Sequence, residues 1–472
     1  MKDIVAKLHR AFNPRSVVVV GDKRELDYMW LRSLAHFQGK VYSVQIDEQE
    51  IPGIEALGVK NYYSLLDIPD EVDYVIVAVP RAVAPKIIRD CIEKKVGGVM
   101  LFTSGFAETN TEEGIRLQQI ITEMAKEANL NLIGPNCMGI FNPKIGLRHA
   151  AEQHYGDSGP VGFISQSGTY ATFFSLMAAV HGIKVSKSVS YGNAVVLDST
   201  DYLEYLAEDD DTKIIGMYIE GVKKGRQFFT SLREITRRKP VLIWKGGMTE
   251  AGTRATASHT ASMAESPLIW DALIKQCGAI KVDSLDEMVD TIKALLYLKP
   301  TTGKRVGLAA MTGGQSVVIT DTFAKAGLEV PLLTEKSYQE FATFFNIIGS
   351  SYRNPLDISS NLRSVDNIIR CIDILNRDER VDCVVLELPL GFLARIARFI
   401  PSFADDLIQA LAQYREKSDK PFFTILFFGP IESAATEARE KLMAMGIPSF
   451  PSFERGAKAL NKVVDYYRFQ RL

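Results

Sequence analysis

The stretch "VGFISQSGTYATFFSLMAAVHGIKV", residues 161–185, carries the plan of most of the chain. An apolar run ends at Ser165, Gln166, Ser167 and Gly168, a segment of helical length opens near Thr169, Gly182 closes it, and a new apolar run begins at Val185. Strand, tight turn, helix and strand in that order predict a βαβ unit with its two strands parallel. The stretch recurs. "VGLAAMTGGQSVVITDTFAKAGLEV", 306–330, aligns without a gap and pairs Gly168 with Gly313, Gly182 with Gly327 and Val185 with Val330. Downstream, "DDTKIIGMYIE" from 210 matches "RDERVDCVVLE" from 377, setting Glu220 against Glu387, with both carboxylates expected at strand ends. The two series read as copies of one flavodoxin-like, doubly wound unit.

Upstream, "SVVVVG", "KVYSVQI", "VDYVIVAVP", "GGVMLFTSG" and "NLIGPNC" alternate with segments of helical length, the rhythm of another parallel sheet covered on both faces. The expected fold is α/β: a doubly wound domain at residues 1–145, a flavodoxin-like domain at 155–300 and a second one at 303–472, with a linker from Pro300 to Gly303. A chain of 472 residues also suits about three cores, since one domain holds roughly 100–200 residues.

With 46% hydrophobic and 24% charged residues and a formal charge of −2, the chain has the composition of a soluble globular protein and not of a polyanion binder. Nucleic acid is not an expected partner. Cys91, Cys137, Cys277, Cys371 and Cys383 are far apart, form no CxxC pair and are odd in number, which predicts a reducing compartment, no disulfide frame and no metal site. No run approaches the roughly 20 apolar residues of a membrane helix, and "MKDIVAKLHRAFNP" lacks the apolar segment of a signal peptide. A cytoplasmic protein without membrane contact is expected.

Open α/β sheets take ligands at the carboxyl ends of their strands. Three such ends stand out in the second domain. Ser165, Gln166, Ser167 and Gly168 form a turn ahead of a helix, where unpaired N–H groups, the helix dipole and flanking hydroxyls suit a phosphate; an ordinary N-cap uses the same residues. Glu220 follows an apolar strand, either as a solvated edge charge or as a partner held for another group. After "PVLIW" comes "KGGMTEAGTRATASH", a small-residue segment expected to be a movable loop and ending in His259. A histidine that is largely neutral at physiological pH offers a lone pair toward phosphorus, and a carboxylate on its other ring nitrogen sets the tautomer and steadies the developing cation. Glu220 is such a carboxylate, expected on the same sheet edge; the alternative is a loop histidine with local hydrogen bonds only.

In the first domain, "VVVVGDKRELDYM" has Gly21 but no GxGxxG, so a hydride-transferring enzyme is poorly supported. Asp22 and Lys23 follow Gly21, and Pro80, Ser104, Gly105, Asn136 and Cys137 stand in further strand-end loops. Cys137 reads as a small buried thiol, because no histidine lies near it in the sequence to activate it.

In this order and spacing, "GPNCMG", "FISQSG", "YIEG", "TEAG" and "SHT" resemble the α subunit of the NDP-forming acyl-CoA synthetases, the superfamily of ADP-forming acetate–CoA ligase and succinyl-CoA synthetase. The resemblance spans nearly the whole chain and implies a Rossmann-like CoA-binding domain followed by the two flavodoxin-like domains. It implies that acyl-CoA, phosphate and ADP are interconverted with a small carboxylic acid, CoA and ATP through an acyl phosphate and a phosphohistidine. By motif match the phosphorylated residue would be His259, its orienting carboxylate Glu220, and the phosphoryl cradle Ser165, Gln166, Ser167 and Gly168. CoA would lie against Gly21, Asp22, Lys23, Pro80, Ser104, Gly105, Asn136 and Cys137. ATP or ADP with Mg2+ would bind an ATP-grasp β subunit. The chain departs from the family in three places: the Gly-Ala-Ser loop after the first strand reads "GDKRELDYMW", the Asn-Pro-Lys after the second is Gln45, Ile46 and Asp47, and Ala261 replaces the last glycine of "SHTG". The first two changes point to weakened CoA binding. A non-catalytic acyl-CoA- or nucleotide-binding regulatory or scaffolding protein of the same descent is the alternative.

Overall fold

The computed structural model of the chain describes residues 2–260, 266–310, 313–427 and 432–471. These residues form two compact units, Met1–Leu285 and Asp286–Leu472.

In the first unit, β1 (Ser16–Val20), β2 (Lys40–Val44), β3 (Lys60–Tyr62), β4 (Tyr74–Val77), β5 (Gly98–Leu101) and β6 (Leu132–Ile133) form a parallel sheet in the order β3-β2-β1-β4-β5-β6. All five residues of β1 are buried, which is why the strand is a continuous β-branched run and not an alternating one. The order is that of the dinucleotide-binding folds, with the direction of growth reversing between β1 and β4. β7 (Gly139–Phe141) then leaves this sheet and joins the next as an antiparallel edge, Gly139 opposite Ser190.

That second sheet contains β8 (Val161–Ser165), β9 (Val185–Ser190), β10 (Ile214–Ile219), β11 (Val241–Lys245) and β12 (Ile280–Val282), in the order β12-β11-β10-β8-β9-β7. Apart from β7 this is the flavodoxin order, and its switch point falls between β8 and β10. One apolar cluster, including Phe12, Met100, Ile164, Tyr202 and Trp270, runs through both sheets. The helix Lys2–Phe12 helps to close it, with Phe12 stacked on Tyr205 of the helix Ser199–Glu208 at 4.2 Å.

Two loops lock the sheets together. Gly192, at φ +51°, approaches the turn at Pro135 and Asn136 so closely that a Cβ would stand 2.2 Å from Pro135 O and 2.3 Å from Asn136 O, a fit that glycine alone permits. Beside it, Asn193 N donates to Pro135 O at 3.0 Å, and Asn193 Nδ2 donates to Glu108 Oε2 at 2.6 Å and Gln118 Oε1 at 3.0 Å.

In the second unit, β13 (Val306–Ala310), β14 (Leu356–Asp357), β15 (Cys383–Pro389), β16 (Phe422–Phe427) and β17 (Ser449–Phe450) pair in parallel as β14-β13-β15-β16-β17, again the flavodoxin order. The helices Gly168–Val180 and Gly313–Lys325 are both 13 residues long, and glycines of positive φ, Gly182 and Gly327, follow them at the aligned positions. Two expectations from the alignment fail. Val330 opens no strand; Glu329 makes a single bridge to Arg305, and the place beside β13 goes to β14. Glu387 does not end its strand, because β15 continues to Pro389 and leaves the carboxylate within the sheet, opposite Ile425. No helix among the described residues is long and apolar enough to cross a membrane.

Candidate functional site

The turn after β8 faces the end of β10 across the switch point of the second sheet. Gln166 N donates to Tyr218 O at 3.0 Å, and Gln166 Oε1 accepts from the N–H of Glu220 at 2.8 Å and of Gly221 at 3.2 Å. Ser167 caps the helix Gly168–Val180, its hydroxyl accepting from Tyr170 N at 3.4 Å. Ser165 faces inward: fully buried, it donates its hydroxyl to Ser167 O at 2.6 Å and so supports the turn from beneath. Glu220 is buried, and its backbone oxygen accepts from Lys245 Nζ at 2.9 Å. Tyr218 Oη donates to Glu220 Oε1 at 3.2 Å.

The segment read as a movable loop is a helix, Glu250–Thr260. Its alanines at 251, 255 and 257 favour helix over coil, Thr249 Oγ1 accepts from Gly252 N at 3.0 Å at its start, and Glu250 pairs with Arg254 one turn on. The helix runs beside the short turn Ala107–Thr109 at the strand ends of the first sheet. His259 belongs to its last turn; the side chain of His259, like Ala261, lies outside the described residues.

Two adjoining cavities open along these strand ends. One, of about 500 Å³, is lined by Gln166, Ser167, Gly168, Thr169, Thr172 and Phe173 of the turn and its helix and by Phe102, Asn136, Cys137, Met138 and Gly192. The other, of about 400 Å³, occupies the switch point between β1 and β4 and is lined by Gly21, Asp22, Lys23, Glu25, Pro80, Arg81 and Ser104 among others. Phe102 and Asn136 line both, making one trough. Gly105 stands behind the wall, its N–H donating to Glu108 Oε1 at 2.6 Å and its carbonyl accepting from Arg81 Nη1 at 2.6 Å. Cys137 is buried, its thiol near Leu101 O and pushed by burial up to about 12.

Of the acids in the two altered loops, Asp22 and Glu25 line the trough and Asp47 does not. Asp47 is exposed, its Oδ1 accepting from Gln49 N, and it does not line the cavity. Asp22 does. It is 1% exposed and accepts from Leu31 N at 2.9 Å and Lys23 N at 3.2 Å, yet burial outweighs these bonds and, with the charge of Glu50, raises its carboxyl to about 6.

Sequence reasoning missed Tyr218, although it precedes Glu220 by two positions and so shares its face of the strand. It missed Lys245 as well, a cation closing an apolar strand. Thr172 gave no such signal; it lines the cavity with buried His149 behind it, whose Nδ1 lies 3.3 Å from Thr172 Oγ1 and whose imidazole is pushed by burial down to about 4.

Comparison with known proteins agrees with this layout. The CoA binding domain family matches residues 15–143, and the succinyl-CoA ligase like flavodoxin domain family matches 158–295. The chain is 35% identical to the α subunit of acetate–CoA ligase [ADP-forming] II of Pyrococcus furiosus, over 96% of each chain. It is 31% identical to acetate–CoA ligase [ADP-forming] I of Archaeoglobus fulgidus, covering 97% of this chain but 64% of that longer protein. The solved structure of acetyl-coenzyme A synthetase 1 from Ca. Korarchaeum cryptofilum, in complex with phosphate and ADP, superposes with a TM-score of 0.83 at 29% identity, covering 98% of this chain and 97% of the other.

The Asp22 carboxyl is harder to ionise in the folded chain than in the unfolded one, so its contribution favours folding below its unfolded value of 3.8 and is lost as pH rises through about 6. That rise in pKa corresponds to roughly 3 kcal/mol. Asp22→Asn should therefore gain on the parent between about pH 4 and 6, by up to that amount less the bonding the amide forfeits at Lys23 N and Leu31 N. Denaturant titrations across this range measure it; a difference constant with pH would show that the carboxyl does not titrate there.

Proposed function

Because the chain belongs to the family of ADP-forming acyl-CoA ligases, we propose that it is the α subunit of such an enzyme and that His259 is its phosphoryl carrier. The observation that carries this reading is the approach of the Ser167 turn to Glu220 at the end of the second sheet, with the trough leading from there to the strand ends of the first. On this reading residues 1–145 bind CoA, 155–300 form the ligase domain and 303–472 a further flavodoxin-like domain.

Inorganic phosphate replaces CoA at the acyl carbon, forming a C–O bond as the C–S bond breaks. A ring nitrogen of His259 then attacks phosphorus, the P–O bond to the acyl group breaks, and the carboxylate departs. Transfer of the phosphoryl group to ADP yields ATP and restores the imidazole. The Ser167 hydroxyl and the N–H groups opening the helix Gly168–Val180 offset the charge of the phosphate, and Glu220 holds the second ring nitrogen. Phe102, Met138 and Phe173 shield the acyl phosphate from water.

The trough suits a long flexible thiol carrier, which supplies the thioester: Phe102 and Asn136 join its two cavities, and Lys23 and Arg81 line the one at the first sheet. Asp22 and Glu25 oppose phosphate there. ADP or ATP with Mg2+ falls to an ATP-grasp partner subunit, in keeping with relatives named as α subunits. A cytoplasmic setting suits the five buried free thiols.

Incubation with the partner subunit and Mg-ATP, followed by intact mass measurement, should show one added phosphoryl group on the parent and none on His259→Ala. No gain beside an active partner rejects the catalytic reading and leaves a binding module. In calorimetric titrations with CoA, Asp22→Asn should bind roughly tenfold tighter than the parent, as expected when a charge opposing a phosphate is removed. Asp47→Lys should differ little, since Asp47 lies outside the trough. Equal affinities for Asp22→Asn and the parent would take that carboxylate out of the path of CoA.

A further inference from the structure

Tyr218 is held at the last turn of β10 by contacts that have no obvious purpose for a strand residue alone. Its ring packs against Tyr170, centroids 4.7 Å apart, and against Trp244 of β11 at 4.9 Å, while Tyr170 and Trp244 meet at 4.5 Å. Tyr170 stands in the first turn of the helix that Ser167 caps. The phenol is thus aimed from a three-ring clasp that touches the serine turn's helix and the strand leading to the His259 helix. It donates to Glu220 Oε1 at 3.2 Å. Gly246 keeps room for this bond: a Cβ there would stand 2.7 Å from Tyr218 Oη and 3.4 Å from Glu220 Cγ. Burial and the neighbouring carboxylate both push the phenol's pKa upward, so it stays a donor.

We propose that Tyr218 is a positioning residue for phosphoryl transfer, holding the Glu220 carboxylate in a fixed orientation for the role that the phosphohistidine reading gives it. The inference rests on the phosphohistidine reading above. The proton of Tyr218 is not transferred: the bond that forms is nitrogen to phosphorus, the bond that breaks is phosphorus to oxygen, and the phenol keeps its hydrogen bond throughout. Its contribution is orientation: the hydrogen bond to Oε1 holds one oxygen of the carboxylate in a set direction, and group transfer depends on such placement.

Tyr218→Phe preserves the clasp and deletes only the donor. With the intact protein, its partner subunit and Mg-ATP, single-turnover phosphorylation should slow roughly tenfold in this variant at saturating nucleotide, with KM for ATP unchanged. Gly246→Ala, which crowds the phenol, should show the same pattern. Repeating the Tyr218→Phe measurement in a Glu220→Gln background distinguishes positioning from general packing: acting through Glu220, the substitution should lose most of its effect there. A Tyr218→Phe rate equal to the parent's, or an equal slowing in both backgrounds, overturns the assignment. Absence of phosphate on the parent itself defeats the underlying reading, and this inference with it.

Discussion

Two bonds to a single carboxamide oxygen set the geometry from which the candidate site is built. Gln166 Oε1 receives the N–H groups of Glu220 and Gly221, while the backbone of Gln166 continues the pairing of β8 with β10 through Tyr218 O. At a switch point the two central strands send their connections to opposite sides, so their ends part and a crevice opens. Gln166 spans that crevice. Its bonds tie the turn before Gly168 to the end of β10, and on the proposed reading group transfer there depends on that spacing being held within about half an ångström.

The first sheet answers the same topological demand differently. At its own switch point the loop after β1 turns a carboxylate, Asp22, into the crevice and satisfies it with two backbone N–H groups. Glu220 receives a phenolic hydrogen at the other crevice. One strand-end carboxylate is consumed by its own loop, whereas the other is oriented by a neighbouring side chain. The crevices would remain separate but for the close approach of Gly192 to the Pro135 turn, which aligns the strand ends and lets Phe102 and Asn136 line both cavities. The small size of one residue thereby joins two ligand-sized spaces into a continuous path.

Much of this was legible in the sequence, and the misses have physical causes. Fully buried parallel strands must be uninterrupted apolar runs, so β1, β8 and β10 were visible, as were the turns that follow them. Small residues and glycine over Glu250–Thr260 read as a movable loop, while the alanine spacing and threonine cap, which favour helix, carry no apolar stripe to reveal them. Asp22 and Asp47 both read as acids set against phosphate, because charge can be read from a sequence but burial cannot; the short turns after β1 and β2 decide which of them faces the crevice. Tyr218 was hidden for a related reason. A tyrosine in an apolar strand is ordinary until a carboxylate is found beside its hydroxyl.

The third sheet shows that repeating a frame does not repeat its chemistry. Strand order, the 13-residue helix after the first strand and the glycine that follows it are shared with the second sheet. What differs is where the third strand of the unit stops. β10 ends at Ile219, so Glu220 emerges where its backbone N–H can reach Gln166 and its carboxylate can reach the hydroxyl of Tyr218. β15 runs on through Glu387 to Pro389, and the aligned carboxylate is kept in the ladder with Ile425, 1% exposed. A strand that ends three positions later thus withdraws the acid from the edge without disturbing the fold, because a parallel ladder is indifferent to which side chain occupies a given rung as long as it can be buried. Selection for a site therefore acts on strand length and on the turn that follows, and two copies of one architecture can diverge in function while retaining the same core.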